Sequence, residues 1–239
     1  MIGVRHRNGR VIHGVGLQRA WVPWRDPSCI EWWAADQGVS QAANAVTSWK
    51  GRKGTLLTGV GSPLYTPSDS AFAGHSTVSC TVPGQSLYNA SFSPPDGSSV
   101  FAIAQAPPLQ TYNRELFDAY SAGRRLIAYG TSGNIIMYSG TPLTTAASYS
   151  SGSVLAICAS FAGSSSAMYV NSSTAASSGA CGSSTITGVV VGNSPSGYFY
   201  EQPWGAPMHA IGFFKGSPSA NSLKLFLQYA KTRCGVVIS

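Results

Sequence analysis

The second half of the chain alternates short apolar runs with Gly, Ser and Pro. Val100–Gln105, Leu116–Tyr120, Arg125–Tyr129 and Asn134–Ser139 read as strands, and Thr131–Gly133 between the last two reads as a hairpin turn. Val154–Phe161, Ala167–Asn171, Ile186–Gly192 and Met208–Phe214 continue the series. Short strands at this spacing predict an all-β, two-sheet sandwich or barrel. Ser139–Ser153 and Asn171–Ser184, rich in hydroxyls, read as loops and exposed strand faces. One helix breaks the period of two. Leu223, Phe226, Leu227, Ala230 and Cys234 share a face at helical spacing. Ser217 is its expected cap, Pro218 its first residue and Gly235 its stop. The helix is expected to cover part of the sandwich.

Residues 1–27 follow neither period. They carry Arg5, Arg7, Arg10, Arg19 and Arg25, with Trp21 and Trp24 around Pro23. Two tryptophans need something to bury against. The segment therefore reads as a basic, aromatic arm that packs on its own domain or on a neighbour. Residues 28–239 read as one domain, within the size range of a single sandwich.

Composition narrows the function classes. Only 10% of the 239 residues are charged, and the formal net charge is +7. More than half of that excess is concentrated in the arm, and no Asp, Glu, Lys or Arg occurs from Leu126 to Tyr200. A phosphate-binding stripe needs Lys and Arg along one face, so the body argues against nucleic acid. A stretch so poor in charge and rich in tyrosine predicts self-association or docking. The N-terminus has no apolar core of a signal peptide, and no window is long and apolar enough to span a membrane. The five cysteines therefore read as buried thiols. Whether Cys158 and Cys181 pair is left open.

Catalytic patterns are missing. Glu115 and Asp118 stand three apart, which on a regular strand sends them to opposite faces. There is no Gly-x-Ser-x-Gly elbow, phosphate loop or zinc-spaced His/Cys pair. His75 and His209 stand alone, and His209 reads as a structural strand residue. No cofactor and no metal is expected, and the protein reads as a non-enzyme. A hydrolase would have to rely on Glu115, Asp118 or Glu201. Tyr198, Tyr200, Glu201 and Trp204 gather aromatic and polar groups in one loop, a candidate carbohydrate platform weighed against ordinary core aromatics.

Ile30–Asp36 followed by Val46–Gly54 resembles the opening strand and Trp-containing turn of laminin-G/concanavalin-A-like domains found in bacteriophage structural proteins. Lys50, Gly51 and Arg52 stand where that turn usually carries an acid. Ala167–Asn171, Gly188–Asn193, Met208–Phe214 and the closing Leu225–Lys231 resemble later strands and the last helix of the same family. The resemblance implies a jelly-roll sandwich with one C-terminal helix. It also implies a virion setting as a capsid decoration protein, head fibre or tail appendage. There the arm (Arg5, Arg7, Arg10, Trp21, Trp24, Arg25) would dock to capsid or tail proteins, in a homo-oligomer or array. The alternative is a carbohydrate-binding module for a host-surface glycan.

Overall fold

The computed structural model of the chain describes residues 21–121, 123–182, 184–195 and 202–239. Its strands are β1 (Cys29–Ala34), β2 (Val39–Ala42), β3 (Ala45–Lys50), β4 (Leu56–Val60), β5 (Leu64–Asp69), β6 (His75–Ser79), β7 (Ser86–Asn89), β8 (Ser99–Gln105) and β9 (Arg114–Ser121). They continue as β10 (Leu126–Tyr129), β11 (Asn134–Tyr138), β12 (Pro142–Ser148), β13 (Val154–Ser160), β14 (Ser166–Val170), β15 (Ser177–Gly179), β16 (Thr187–Val191) and β17 (Pro207–Phe214). The helix α1 (Ala220–Cys234) follows.

All strand pairs are antiparallel. One half runs β12–β11–β10–β9–β16–β7–β4–β3, with β2 beside β3. The other runs β5–β6–β17–β8–β13–β14–β15, with β1 beside β17. The two halves join where Ala45 of β3 meets Leu64 of β5, so the sheet folds over on itself and nearly closes. This is an all-β antiparallel fold of jelly-roll kind with a C-terminal helix.

Alternation of side chains explains the layers. In β8, Val100, Ala102 and Ala104 face a core shared with Trp49, Leu57, Leu87, Phe117, Ile127 and Val189 from the other half. Phe101 and Ile103 face outward, yet they are buried with Trp32, Ala156, Cys158, Phe214 and the apolar stripe of α1. The central strands are covered on both sides, which is why they read as continuous apolar runs. The stripe of α1 is the one its spacing predicts. Its cap is Ser219, two residues later than expected: Ser219 Oγ accepts from Ser222 N at 3.0 Å. Gly235 ends the helix at φ +69°, a left-handed conformation that glycine adopts without steric cost.

Each of the two hydroxyl-rich stretches, read as loops and exposed strand faces, contains a strand. Within Ser139–Ser153 lies β12, whose residues are mostly exposed, so no apolar period marks it. It is held to β11 in part by Thr145, whose Oγ1 accepts from Ile135 N at 3.1 Å. Within Asn171–Ser184 lies the three-residue β15. All five cysteines are buried free thiols, Cys158 and Cys181 included. Among the described residues, no helix is long and apolar enough to cross a membrane.

Candidate functional site

Of the four residues the sequence grouped as a sugar platform, the structure describes Trp204. Trp204 is fully buried in the sandwich core, edge-on to Tyr129 at 6.3 Å, and its Nε1 donates to Gln105 O at 3.0 Å. It therefore has no face to offer a sugar, and the platform expected of it is corrected to a core role. An apolar core takes a large aromatic readily once its one N–H has a partner. Tyr198, Tyr200 and Glu201 lie outside the described residues. Of the arm, Arg5, Arg7 and Arg10 also lie outside them. Trp21 packs edge-on against Tyr229 at 6.3 Å, and the Arg52 guanidinium lies 4.1 Å over the Trp24 ring. Both tryptophans thus rest on this chain's own domain, while Arg25 is exposed.

A different aromatic pair stands on the sheet face that α1 does not cover. Tyr88 on β7 and Tyr120 on β9 stack at 5.3 Å between centroids and 15° between planes. They belong to strands that do not pair with each other, because β16 runs between them. Gly188 of β16 makes the contact feasible. A Cβ there would stand 2.7 Å from Tyr120 Cβ and 2.8 Å from the carbonyl oxygens of Asn89 and Ala90. Its φ of +72° also suits glycine. The pair walls a cleft of about 250 Å³, with Val190 in its floor and Val60, Ser86 and Asn193 around it. Asn193 is held in place, donating through Nδ2 to Gln85 O at 2.9 Å. Sequence reasoning missed both tyrosines, because only the register of three strands unites them.

Beside this face sits a buried acid pair. Between β9 and β10, Phe117 pairs with Ile127 and Glu115 with Ala128, so Leu116 is an extra residue on β9. The bulge reverses the alternation. Glu115 and Asp118, expected on opposite faces, share one. Arg124 bridges them, with Nη2 at 2.5 Å from Glu115 Oε1 and 2.7 Å from Asp118 Oδ2. Its Nε donates to Asp118 Oδ2 at 2.9 Å. Glu115 N donates to Gln202 O at 3.0 Å, tying the segment after residue 201 to β9.

Burial pushes the Glu115 carboxyl up to about 8, with the Asp118 charge adding to it, and burial also raises Asp118. The folded chain then binds Glu115's proton more tightly than the unfolded chain, so stability falls as pH rises from the ordinary value of 4.5 towards 8. Glu115→Gln removes that slope. Its Tm relative to the natural chain is expected to improve steadily between about pH 5 and about pH 9. Parallel Tm profiles would show that Glu115 does not hold the proton.

A third cluster lies away from the cleft. Asp36 receives Arg233 Nη2 at 2.6 Å, His75 Nδ1 at 3.0 Å and Ser76 N at 2.9 Å. Burial raises the Asp36 carboxyl, but the hydrogen bonds from Ser76 and Arg233 outweigh it and leave it below its ordinary value. His209, fully buried, donates through Nδ1 to Ser76 O at 2.9 Å, and burial lowers its pKa. The two histidines that looked isolated thus meet around one carboxylate, with ring centroids 5.5 Å apart. The cluster ties the end of α1 to the sheet. Among the described residues, no group of three or more His, Cys, Asp or Glu is arranged to hold a metal ion.

No protein-family model matches the chain, and no curated protein matches its sequence. Solved structures do share the fold. Trypanosoma rangeli sialidase in complex with sialic acid aligns at TM-score 0.64 and 8% identity, over 87% of this chain and 34% of the sialidase. Domain 4 of AbnA, a GH43 extracellular arabinanase from Geobacillus stearothermophilus, in complex with arabinotriose, aligns at TM-score 0.57 and 14% identity, over 84% of this chain and 98% of that domain. The binding domain of botulinum neurotoxin serotype D aligns at 0.58 and 12%, over 84% and 50%. The chain thus spans about a third of the sialidase and nearly all of the arabinanase domain. At these identities the likeness is one of fold: the chain is a β-sandwich domain of the shape these three proteins contain.

Proposed function

We propose that this domain is a carbohydrate-binding module that holds a sugar unit of a cell-surface glycan in the cleft beside Tyr88 and Tyr120. The observation that carries the reading is the stacked tyrosine pair on the open sheet face, walling a cleft with hydroxyl and amide groups around it. Sugar rings stack on aromatic faces and hydrogen-bond to such groups. Two of the structures with this fold were solved with arabinotriose or sialic acid bound, which supports the reading by analogy of fold alone.

The reading is non-catalytic. Glu115 and Asp118 stand within hydrogen-bonding reach of each other and share Arg124. A glycosidase pair needs roughly 5–9.5 Å between its carboxyl groups. Glycan binding takes precedence over a virion structural role because the aromatics proposed for docking, Trp21 and Trp24, already pack within the chain. Tyr129, from the uncharged stretch, is likewise core.

Tyr88→Ala and Tyr120→Ala are each expected to weaken glycan binding at least about tenfold, the effect of losing a central aromatic anchor. Both side chains are partly exposed, so circular dichroism and Tm should change little. A glycan array followed by titration calorimetry makes the measurement. Full binding by the double variant would remove the cleft from the reading, and an array with no bound glycan would remove the reading.

A further inference from the structure

We infer that the cleft beside Tyr88 and Tyr120 selects an uncharged sugar unit and discriminates against sugars that carry a carboxylate, such as sialic and uronic acids. The inference rests on the glycan reading above and names the class of sugar.

The cleft's described lining holds Val60, Ser86, Tyr88, Tyr120, Val190 and Asn193 among its residues, and no Lys, Arg or His. A carboxylate entering it sheds water and meets hydroxyls and apolar surface, but no cation of the described lining. Burying a charge without an opposite charge is costly, whereas a neutral sugar hydroxyl is satisfied by the groups present.

The neighbouring cluster strengthens the bias. Asp118 lies directly across the ladder from Val190, the cleft floor, and two residues before Tyr120 on the same face. Arg124 is the cation between these two carboxyl groups, and its Nε and Nη2 are engaged by Asp118 and Glu115. One guanidinium faces two carboxyl groups. The three groups together are neutral when Glu115 keeps its proton and negative when it does not. In neither state do they attract an anion. The two carboxyl groups are buried, so their charge is poorly screened by salt.

The test is a glycan array carrying each neutral glycan beside its sialylated or uronic-acid counterpart, probed with the full chain and followed by calorimetry on lactose and 3′-sialyllactose or the matched pair that binds best. The neutral member is expected to bind at least about tenfold more tightly. Ser86→Lys, which places an ammonium on the cleft wall, is expected to shift that ratio at least about tenfold towards the acidic member. Val60→Lys is the second variant, at a position 44% exposed where a lysine leaves the core untouched. Acidic members bound as tightly as neutral ones would overturn the inference while leaving the glycan reading in place. So would a ratio that neither lysine moves. Binding to no glycan at all would overturn both.

Discussion

Replacing Glu31 with alanine is expected to destabilise the domain by about 3 kcal/mol or more, because it orphans three backbone donors at once. Glu31 is fully buried on β1. Its Oε1 accepts from Trp32 N at 2.9 Å and Lys53 N at 2.7 Å, and its Oε2 accepts from Thr55 N at 2.7 Å. The turn after β3 is thus wrapped around a carboxylate from β1, a strand of the other half of the sheet. Gly51 makes room for it, since a Cβ there would come within 2.4 Å of the Glu31 carboxyl. The turn has Lys50, Gly51 and Arg52 where the resemblance implied an acid, and Glu31 supplies a carboxylate to it in this structure. Glu31→Gln keeps the shape but turns one acceptor into a donor facing an N–H, and is expected to fall between the two. Urea denaturation measures both. A loss under about 1 kcal/mol for Glu31→Ala would mean that water replaces the carboxylate cheaply.

The second large effect is at Trp32. Its ring meets Phe214 at 6.2 Å, Phe226 at 6.5 Å and Tyr229 at 6.1 Å, all edge-on, so it joins the sheet to α1. Opposite it, Gly212 leaves no spare volume, for a Cβ there would stand 2.3 Å from the Trp32 ring. Trp32→Ala is expected to cost about 3–5 kcal/mol through the cavity it leaves. It should also expose α1 amides to hydrogen exchange well before global unfolding. Trp32→Phe is the informative control. It keeps much of the apolar area and removes an indole N–H that has no partner among the described residues, so its cost is expected to stay under about 1.5 kcal/mol. Equal losses for the two variants would show that ring volume is not what docks the helix.

The clearest readings from sequence were those made by burial on both sides. Val100–Gln105, Val154–Phe161 and Met208–Phe214 are apolar at nearly every position because sheet lies on one side and α1 on the other, and their strands lie where the runs predict. The stripe Leu223–Cys234 was equally legible, since a helix with one buried face prints its period directly. Where an element meets solvent along most of its length, as β12 does, pairing and hydroxyl bonds hold it without any apolar period.

By itself, then, the sequence determined an all-β chain closed by one amphipathic helix, because side-chain period follows backbone geometry. It could not place the site. Trp204 is buried and Tyr88 and Tyr120 are not, although all three are aromatics in polar surroundings along the chain. The difference arises from which strand faces the core and from a glycine in the strand between the tyrosines. Likewise, one extra residue at Leu116 decides that Glu115 and Asp118 meet at Arg124. Register and bulges are set by the packing of whole sheets, and a shift of one residue turns every later side chain to the other face. Tertiary structure alone therefore decided which polar and aromatic residues share a surface.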